Sequence, residues 1–187
     1  MKDHYLKDYE LIQQTRTGDS KAFEKLVKRY ESQVGATVIG ILGKCEAADD
    51  VGQEVFIRFY KYLNNFREES ALGTYLTRIA INLSLNELKR RKRRQFFFKK
   101  NEKDMNSVTV NPEDTITKSE RKELVQNAIK KLAPEFRAVI VLRLIQGYST
   151  KEVAEILNIP AGTVLSRLAR AQKKLKQLLT PFIEEVA

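Results

Sequence analysis

Apolar side chains recur along this chain every three or four residues, and no stretch alternates apolar and polar cleanly enough for a half-buried strand. Phe23, Leu26, Val27 and Tyr30 mark one helical face, and Asp19 stands ahead of them after Gly18, where an N-cap belongs. A second helix is predicted through Ala48, Val51, Val55, Phe59 and Leu63, and a third through Leu72, Leu76, Ile79, Ala80, Leu83 and Leu88. No proline precedes Pro112, so nothing in this half forces a helix to break. The pattern then lapses. From Asn101 to Lys118 the text is NEKDMNSVTVNPEDTITK, too poor in apolar area to offset the entropy of ordering it. Helical spacing resumes at Leu124, Ile129, Leu132, Val139, Leu142 and Ile145. The expected architecture is all-α: one helical domain over 1–97, a flexible linker over 98–118 and a second helical domain over 119–187.

Charge narrows the partners. The 187 residues carry a formal net charge of +10, which makes polyanions the natural ligands. Anionic membranes would satisfy the same sign, so charge alone does not select nucleic acid. The opening MKDHYLKDYELIQQ lacks the apolar core of a secretory signal, and no run approaches a spanning helix, so a cytoplasmic location is expected. Cys45 is the single cysteine, which excludes a disulfide framework or a paired-cysteine zinc site and leaves a small buried or half-buried thiol as the plain reading. His4 is the one histidine, and no carboxylate cluster or glycine-rich phosphate loop appears. A nucleic-acid enzyme therefore lacks support, and no cofactor, metal or small-molecule substrate is expected.

The stretch Gly147–Leu179, GYSTKEVAEILNIPAGTVLSRLARAQKKLKQLL, is the most informative. Ser149 and Glu152 have capping-box spacing, which starts a short helix near Thr150. Val153, Ala154, Ile156 and Leu157 supply its buried side, Asn158–Pro160 break it, and Pro160 suits the first turn of the next helix. There Val164, Leu168, Ala171 and Leu175 share one face, while Arg167, Arg170 and Lys174 share another. A capped short helix, a turn and a longer helix with a basic outer face make a helix-turn-helix rather than a solvated face on an ordinary bundle. Its outer face suits a major groove, where arginine bonds guanine bidentately, serine serves either edge, and later lysines (Lys173, Lys174, Lys176) suit phosphates.

This segment resembles region 4 of sigma factors of the extracytoplasmic-function group. The family pattern L-x-P-x-x-R is met by Leu132, Pro134 and Arg137, and G-x-S-x-x-E-I-A by Gly147, Ser149, Glu152, Val153 and Ala154. G-T-V-x-S-R-L-x-R-A is met by Gly162, Thr163, Val164, Ser166, Arg167, Leu168, Arg170 and Ala171. The resemblance implies that Thr163, Leu165, Ser166, Arg167, Arg170 and Lys174 read a −35 promoter element. Leu165 stands where the family usually has Lys or Arg, and Gln172 where Arg is usual. A leucine cannot donate a hydrogen bond, so its contact becomes apolar, for instance to a thymine methyl.

Upstream, Ala48–Phe66 resembles sigma region 2.2, whose core D-x-x-Q-E-x-F is met by Asp50, Gln53, Glu54 and Phe56. Asp50, Gln53, Glu54 and Ile57 form one helical stripe. By resemblance these residues bind the β′ clamp helices of core RNA polymerase, against the plain alternative of a solvated polar stripe. Gly73–Arg94 resembles regions 2.3 and 2.4, with Thr74, Leu76, Arg78, Ile79, Ala80 and Asn82 matching, Tyr75 in place of the usual Trp and Asn86 in place of a frequent Asp. The resemblance implies a pocket for a flipped −10 base built from Asn64, Asn65, Phe66 and Asn82, with Tyr75 either a stacking face or a core residue. Arg78, Asn86, Lys89, Arg90 and Arg93 then complete the −10 surface, along which the melted non-template strand would run.

Between Glu87 and Lys103 lie nine basic residues and two acidic ones, +7 of the chain's +10. So concentrated a charge attracts phosphate through counterion release. Phe96, Phe97 and Phe98 interrupt it; a basic-aromatic run can touch a membrane, but packing on polymerase or on an inhibitor is the preferred reading. Family membership further implies docking of the C-terminal domain on the β flap and control by an anti-sigma factor. The rival is a free-standing helix-turn-helix regulator that binds duplex autonomously and has no use for the N-terminal stripe.

Overall fold

In a computed structural model of the chain, residues 2–67, 70–98 and 118–184 are described, and among them every regular element is helical. The N-terminal half holds α1 (Lys2–Arg16), α2 (Ser20–Leu42), α3 (Glu46–Lys61) and α4 (Leu72–Phe98), with a 3₁₀ turn at Leu63–Asn65 between the last two. The C-terminal half holds α5 (Lys118–Lys130), α6 (Pro134–Ile140), α7 (Thr150–Leu157) and α8 (Ala161–Glu184). The chain passes from α6 into a π-helical turn at Val141–Ile145, where one extra residue per turn leads into the loop ahead of α7. Of the expected linker over 98–118, residues 99–117 lie outside the described residues, while Phe98 ends α4 and Lys118 begins α5.

Local chemistry sets the boundaries. Asp19 caps α2, its carboxylate accepting from the backbone N–H groups of Lys21 (2.8 Å) and Ala22 (3.2 Å). Gly43 ends that helix with φ 77°, a left-handed conformation that glycine adopts without a Cβ penalty. The predicted second helix stops at Lys61, and Leu63, expected within it, is buried from the 3₁₀ turn instead. α1 has no counterpart in the periodicity reading. It is tied to α2 by Asp8, a buried carboxylate that accepts from Arg29 and from the Tyr30 hydroxyl. Burial, followed by the bond to Asp8, pushes the Tyr30 phenol above its usual range.

The two halves do not stand apart. Val34, Val38 and Ile41 of α2 and Leu76, Ala80 and Ile81 of α4 belong to one continuous apolar core with Val139, Val141 and Leu142 and with Val153, Ile156 and Val164 of the C-terminal half. A smaller core of Ile129, Leu132, Ile140 and Ala171 knits α5, α6 and α8 together. Helical periodicity picked out Leu76, Ala80, Ile129, Leu132, Val139, Leu142, Val153, Ile156, Val164 and Ala171 but not Val34, Val38, Ile41, Ile81, Ile140 or Val141, and it carries no information on which helix any of them meets.

Candidate nucleic-acid interface

The helix-turn-helix is built by its caps. Ser149 N–H donates to the Glu152 carboxylate at 2.7 Å, and Glu152 N–H donates to Ser149 Oγ at 3.2 Å, a complete capping box. Those bonds to Ser149 hold the Glu152 carboxyl below the usual carboxylate range. Val153 and Ile156 are buried, with Ala154 and Leu157 half-buried beside them. Asn158 closes α7 in the left-handed conformation (φ 51°, ψ 52°), which asparagine tolerates better than most side chains. Pro160 does not enter the first turn of α8 as expected. It stands one residue earlier, its carbonyl accepting from Thr163 N–H (2.9 Å) and Val164 N–H (3.1 Å), because α8 begins at Ala161.

Along α8, Val164 and Ala171 are buried and Leu168 and Leu175 half-buried, which docks this helix on α7 and α6. The opposite side presents Leu165 (55% exposed), Ser166, Arg170 and Lys174, with Thr163 and Arg167 half-buried at its margin. Ser166 Oγ donates to the Thr163 carbonyl at 3.1 Å, which anchors the hydroxyl on the helix and leaves its lone pairs outward. Leu165 makes no contribution to the buried side of α8.

On α3, Asp50 and Gln53 are exposed, and Glu54 forms an i,i+4 ion pair with Arg58 at 2.7 Å. Phe56 does not join this stripe. Two positions along a helix turn it about 200° from Glu54, and it is half-buried against the N-terminal core. Its place outside is taken by Ile57 and Tyr60, 60% and 54% exposed. Tyr60 was not singled out from the sequence, although it stands three residues after Ile57 on the same face.

The expected base pocket separates into two sets. Asn64 and Asn65 are exposed on the 3₁₀ turn, which α1 holds in place: Arg16 donates to the carbonyls of Leu63 (3.2 Å) and Phe66 (2.5 Å). Phe66 is 5% exposed, its ring against Tyr75 (4.7 Å between centroids) and edge-on to Phe59 (6.0 Å). Phe66 is thus a core residue and not a base-stacking platform, and half-buried Tyr75 spends one face on it. Along α4, Asn82, Asn86, Lys89, Arg90 and Arg93 are exposed at helical spacing on one side. Arg78, at the start of that line, is half-buried, and its guanidinium donates to the Glu155 carbonyl of α7 at 3.0 Å.

Glu87, nearly buried, organises the basic end of α4 by pairing with Arg90 (2.6 Å), Arg91 (3.0 Å) and Arg94 (3.6 Å). Burial alone would raise its pKa, but the bonds from Arg90 and Arg91 outweigh that and hold it below the usual range. Arg91 also donates to Sγ of half-buried Cys45 at 3.1 Å. Lys89, Lys92 and Arg93 are exposed. The side chains of Phe96–Phe98, and the lysines beyond them, lie outside the described residues. Among the described residues no group of His, Cys, Asp and Glu could hold a metal ion, and no helix is long and apolar enough to cross a membrane.

Comparison with known proteins agrees with this layout. The family described as Sigma-70 region 2 matches residues 26–94, and the one described as Sigma-70, region 4 matches residues 122–175. The chain is 33% identical to RNA polymerase sigma-H factor of Pseudomonas aeruginosa, over 95% of this chain and 96% of that one. It is 33% identical to the ECF RNA polymerase sigma-E factor of Escherichia coli K12, over 95% of this chain and 97% of that one. Among solved structures, CnrH in complex with the cytosolic domain of CnrY is similar at 28% identity and a TM-score of 0.66, covering 94% of this chain and 98% of that chain. Sigma factor RpoE in complex with the anti-sigma factor NepR from Bartonella quintana shares the fold at 23% identity and a TM-score of 0.68, covering 86% and 98%. The chain belongs to the sigma-70 family of RNA polymerase sigma factors, in its extracytoplasmic-function (ECF) group, and acts in transcription initiation.

Proposed function

We propose that this sigma factor binds core RNA polymerase through the exposed α3 stripe of Asp50, Gln53 and Glu54, extended by Ile57 and Tyr60. Carboxylates beside an exposed isoleucine and tyrosine favour a protein surface over DNA, whose phosphates they would repel. The −10 element is read by the N-terminal domain, residues 1–97, with Asn64 and Asn65 on their turn and Asn82, Asn86, Lys89, Arg90 and Arg93 on α4. Amide side chains offer both donors and acceptors to a base edge, and the cations that follow attract the strand's phosphates. The −35 element is read by α8, in the domain from 119 onward, with Leu165, Ser166, Arg167, Arg170 and Lys174. The single observation that carries the reading is this coexistence of an acidic-apolar stripe and two separate DNA-facing helices in one chain. A free-standing regulator would need only α7 and α8.

The chain itself makes no bond; nucleotide chemistry belongs to the polymerase, and the site of action is the cytoplasm. An anti-sigma factor is a further expected partner, supported by the CnrH and CnrY complex at 28% identity. The test is to mix the purified chain with bacterial core polymerase, follow co-elution on gel filtration and sequence transcript starts from a genomic promoter library. Co-elution with new, specific starts is expected. Tight sequence-specific binding to duplex by the chain alone, without association with core, would leave an ordinary repressor or activator.

A further inference from the structure

The turn that carries Asn64 and Asn65 is anchored at both ends. Leu63 and Phe66 are buried (4% and 5% exposed), and between them the two asparagines face outward. Within the turn, Asn65 N–H donates to the Tyr62 carbonyl (3.0 Å) and Phe66 N–H to the Leu63 carbonyl (3.1 Å). So short a 3₁₀ piece has few bonds of its own with which to fix the direction of its outward side chains.

A further restraint comes from α1. One nitrogen of Arg16, Nη2, donates both to the Leu63 carbonyl (3.2 Å) and to the Phe66 carbonyl (2.5 Å). Bonds from a charged donor are roughly twice as strong as neutral ones. Each also fixes more than an oxygen. A peptide unit is planar, so holding the Leu63 carbonyl sets the direction of the Asn64 N–H on its opposite edge, and with it the backbone from which the Asn64 side chain departs. The bond to Phe66 does the same at the far end of the turn. Arg16 serves as a fixed point because α1 is itself fixed. Leu11 and Ile12 bury its inner face, and Asp8 accepts from Arg29 and Tyr30 of α2. Gly18 then turns the chain toward α2 at φ 97°, leaving Arg16 in the last turn of α1.

We propose that Arg16 is a positioning residue for −10 recognition, acting through Asn64 and Asn65 by clamping the Leu63–Phe66 turn in the conformation that presents them to a base edge. The proposal rests on the reading of the −10 element by that turn. Its consequence is discrimination and not docking. A loosened turn contacts the right base only for the fraction of time it holds the reading conformation, whereas a complex with the wrong base, which lacks that contact, loses nothing. A turn correct a tenth of the time lowers preference about tenfold at the positions it reads. The −35 preference, set from α8, is untouched.

Arg16→Met keeps an unbranched stem and good helix propensity while removing the donor. Arg16→Lys keeps the charge on a side chain one bond shorter, and it carries the same readouts where the Met variant fails to fold. Amide hydrogen exchange on the free chain reads the clamp without DNA or polymerase. Asn65 and Phe66 N–H should exchange about tenfold faster in Arg16→Met, with an intermediate rate in Arg16→Lys and unchanged rates in α2 and α4. Transcription with core polymerase from a library randomised at both elements should show −10 preference reduced about tenfold where the turn reads, and an unchanged −35 profile. In a background of Asn64→Ala with Asn65→Ala, Arg16→Met should change −10 preference no further, because the residues it acts through are gone.

Unchanged exchange at Asn65 and Phe66 overturns the clamp, and so does exchange that rises equally across α2 and α4, which would make Arg16 a general stabiliser. Faster exchange with an intact −10 profile overturns the positioning role, provided the asparagine double variant does lose −10 preference. If that double variant keeps the wild-type profile, the reading of −10 by the turn is what fails, and the positioning role falls with it.

Discussion

The guanidinium of Arg137 reaches across the molecule to donate to the carbonyl of Ile41 at 2.6 Å, in the last turn of α2. The same group donates to the carbonyls of Lys130 and of Leu132 (3.2 Å), where α5 ends. Carbonyls at helix C-termini lack intrahelical donors and carry the negative end of the helix dipole, so one buried cation satisfies several of them together. Burial draws the Arg137 pKa below its usual value. Arg137→Met keeps much of the apolar stem and strands those acceptors. It should lower unfolding stability by about 3 kcal/mol, read as a lower urea midpoint. An unchanged midpoint would mean that water replaces the guanidinium at no cost.

Asp50 and Glu54 are exposed or partly so, and Glu54 is paired with Arg58 on its own helix. An exposed i,i+4 pair is worth about 0.3–0.5 kcal/mol, so Asp50→Ala with Glu54→Ala leaves the fold nearly as stable. The double variant should lose co-elution with core polymerase while its melting temperature shifts by only a few degrees. Retained co-elution would move the docking surface elsewhere, with Ile57 and Tyr60 the next residues to replace.

Acid should loosen the molecule in a defined window. Glu87 and Glu152 both titrate below the ordinary carboxylate range in the folded chain. A depressed folded pKa means stability that is present above about pH 4.5 and lost as pH falls through the folded value. Thermal melts should be flat from neutral pH to about pH 5 and decline below it. Glu87→Gln should flatten that decline, since its three arginine partners then have no carboxylate to lose. At neutral pH the same variant should bind DNA more tightly, because it releases the guanidiniums of Arg90, Arg91 and Arg94 from their shared anion.

What could be read in the sequence and what could not divide along a physical line. Caps and periodicity are local, so Asp19, the Ser149–Glu152 box and inward residues such as Leu26, Tyr30, Leu76, Ala80, Val153, Ile156, Val164 and Ala171 were legible, whereas the second half of the inward face of α2 (Val34, Val38 and Ile41) and Ile81 of α4 were not picked out. Phe56 and Phe66 were misplaced because a motif match says which residues recur and not which way they turn; helical phase puts Phe56 against the core, and a neighbouring Tyr75 covers Phe66. α1 escaped because its buried residues, Leu11 and Ile12, are few and its anchors are polar: Asp8 toward Arg29 and Tyr30, Arg16 toward the Asn64–Asn65 turn. Packing of the two halves is non-local. Gln33, Thr77 and Tyr148 carry no motif that would have joined them, and the small-residue signal at Gly40 acquires meaning only once Val141 is opposite it.

Leu165 offers the sharpest test of the −35 assignment. It is 55% exposed on the outer side of α8, next to Ser166 and five residues before Arg170. An apolar side chain in a major groove has one distinctive target, the methyl of thymine, and cannot bond guanine as an arginine there would. Leu165→Arg should therefore shift preference toward guanine at a single −35 position by a factor of about 5 to 150, the range of ~1–3 kcal/mol per good base contact. Leu165→Ala should relax preference at that same position and gain nothing. Neither change should alter preferences at −10, which other residues on α4 and the Asn64–Asn65 turn would read. Transcription from a library randomised at both elements measures all of this together. Shifts at a single −35 position would place Leu165 against that base, whereas uniform losses across sequences would assign it to docking of the helix on the DNA backbone.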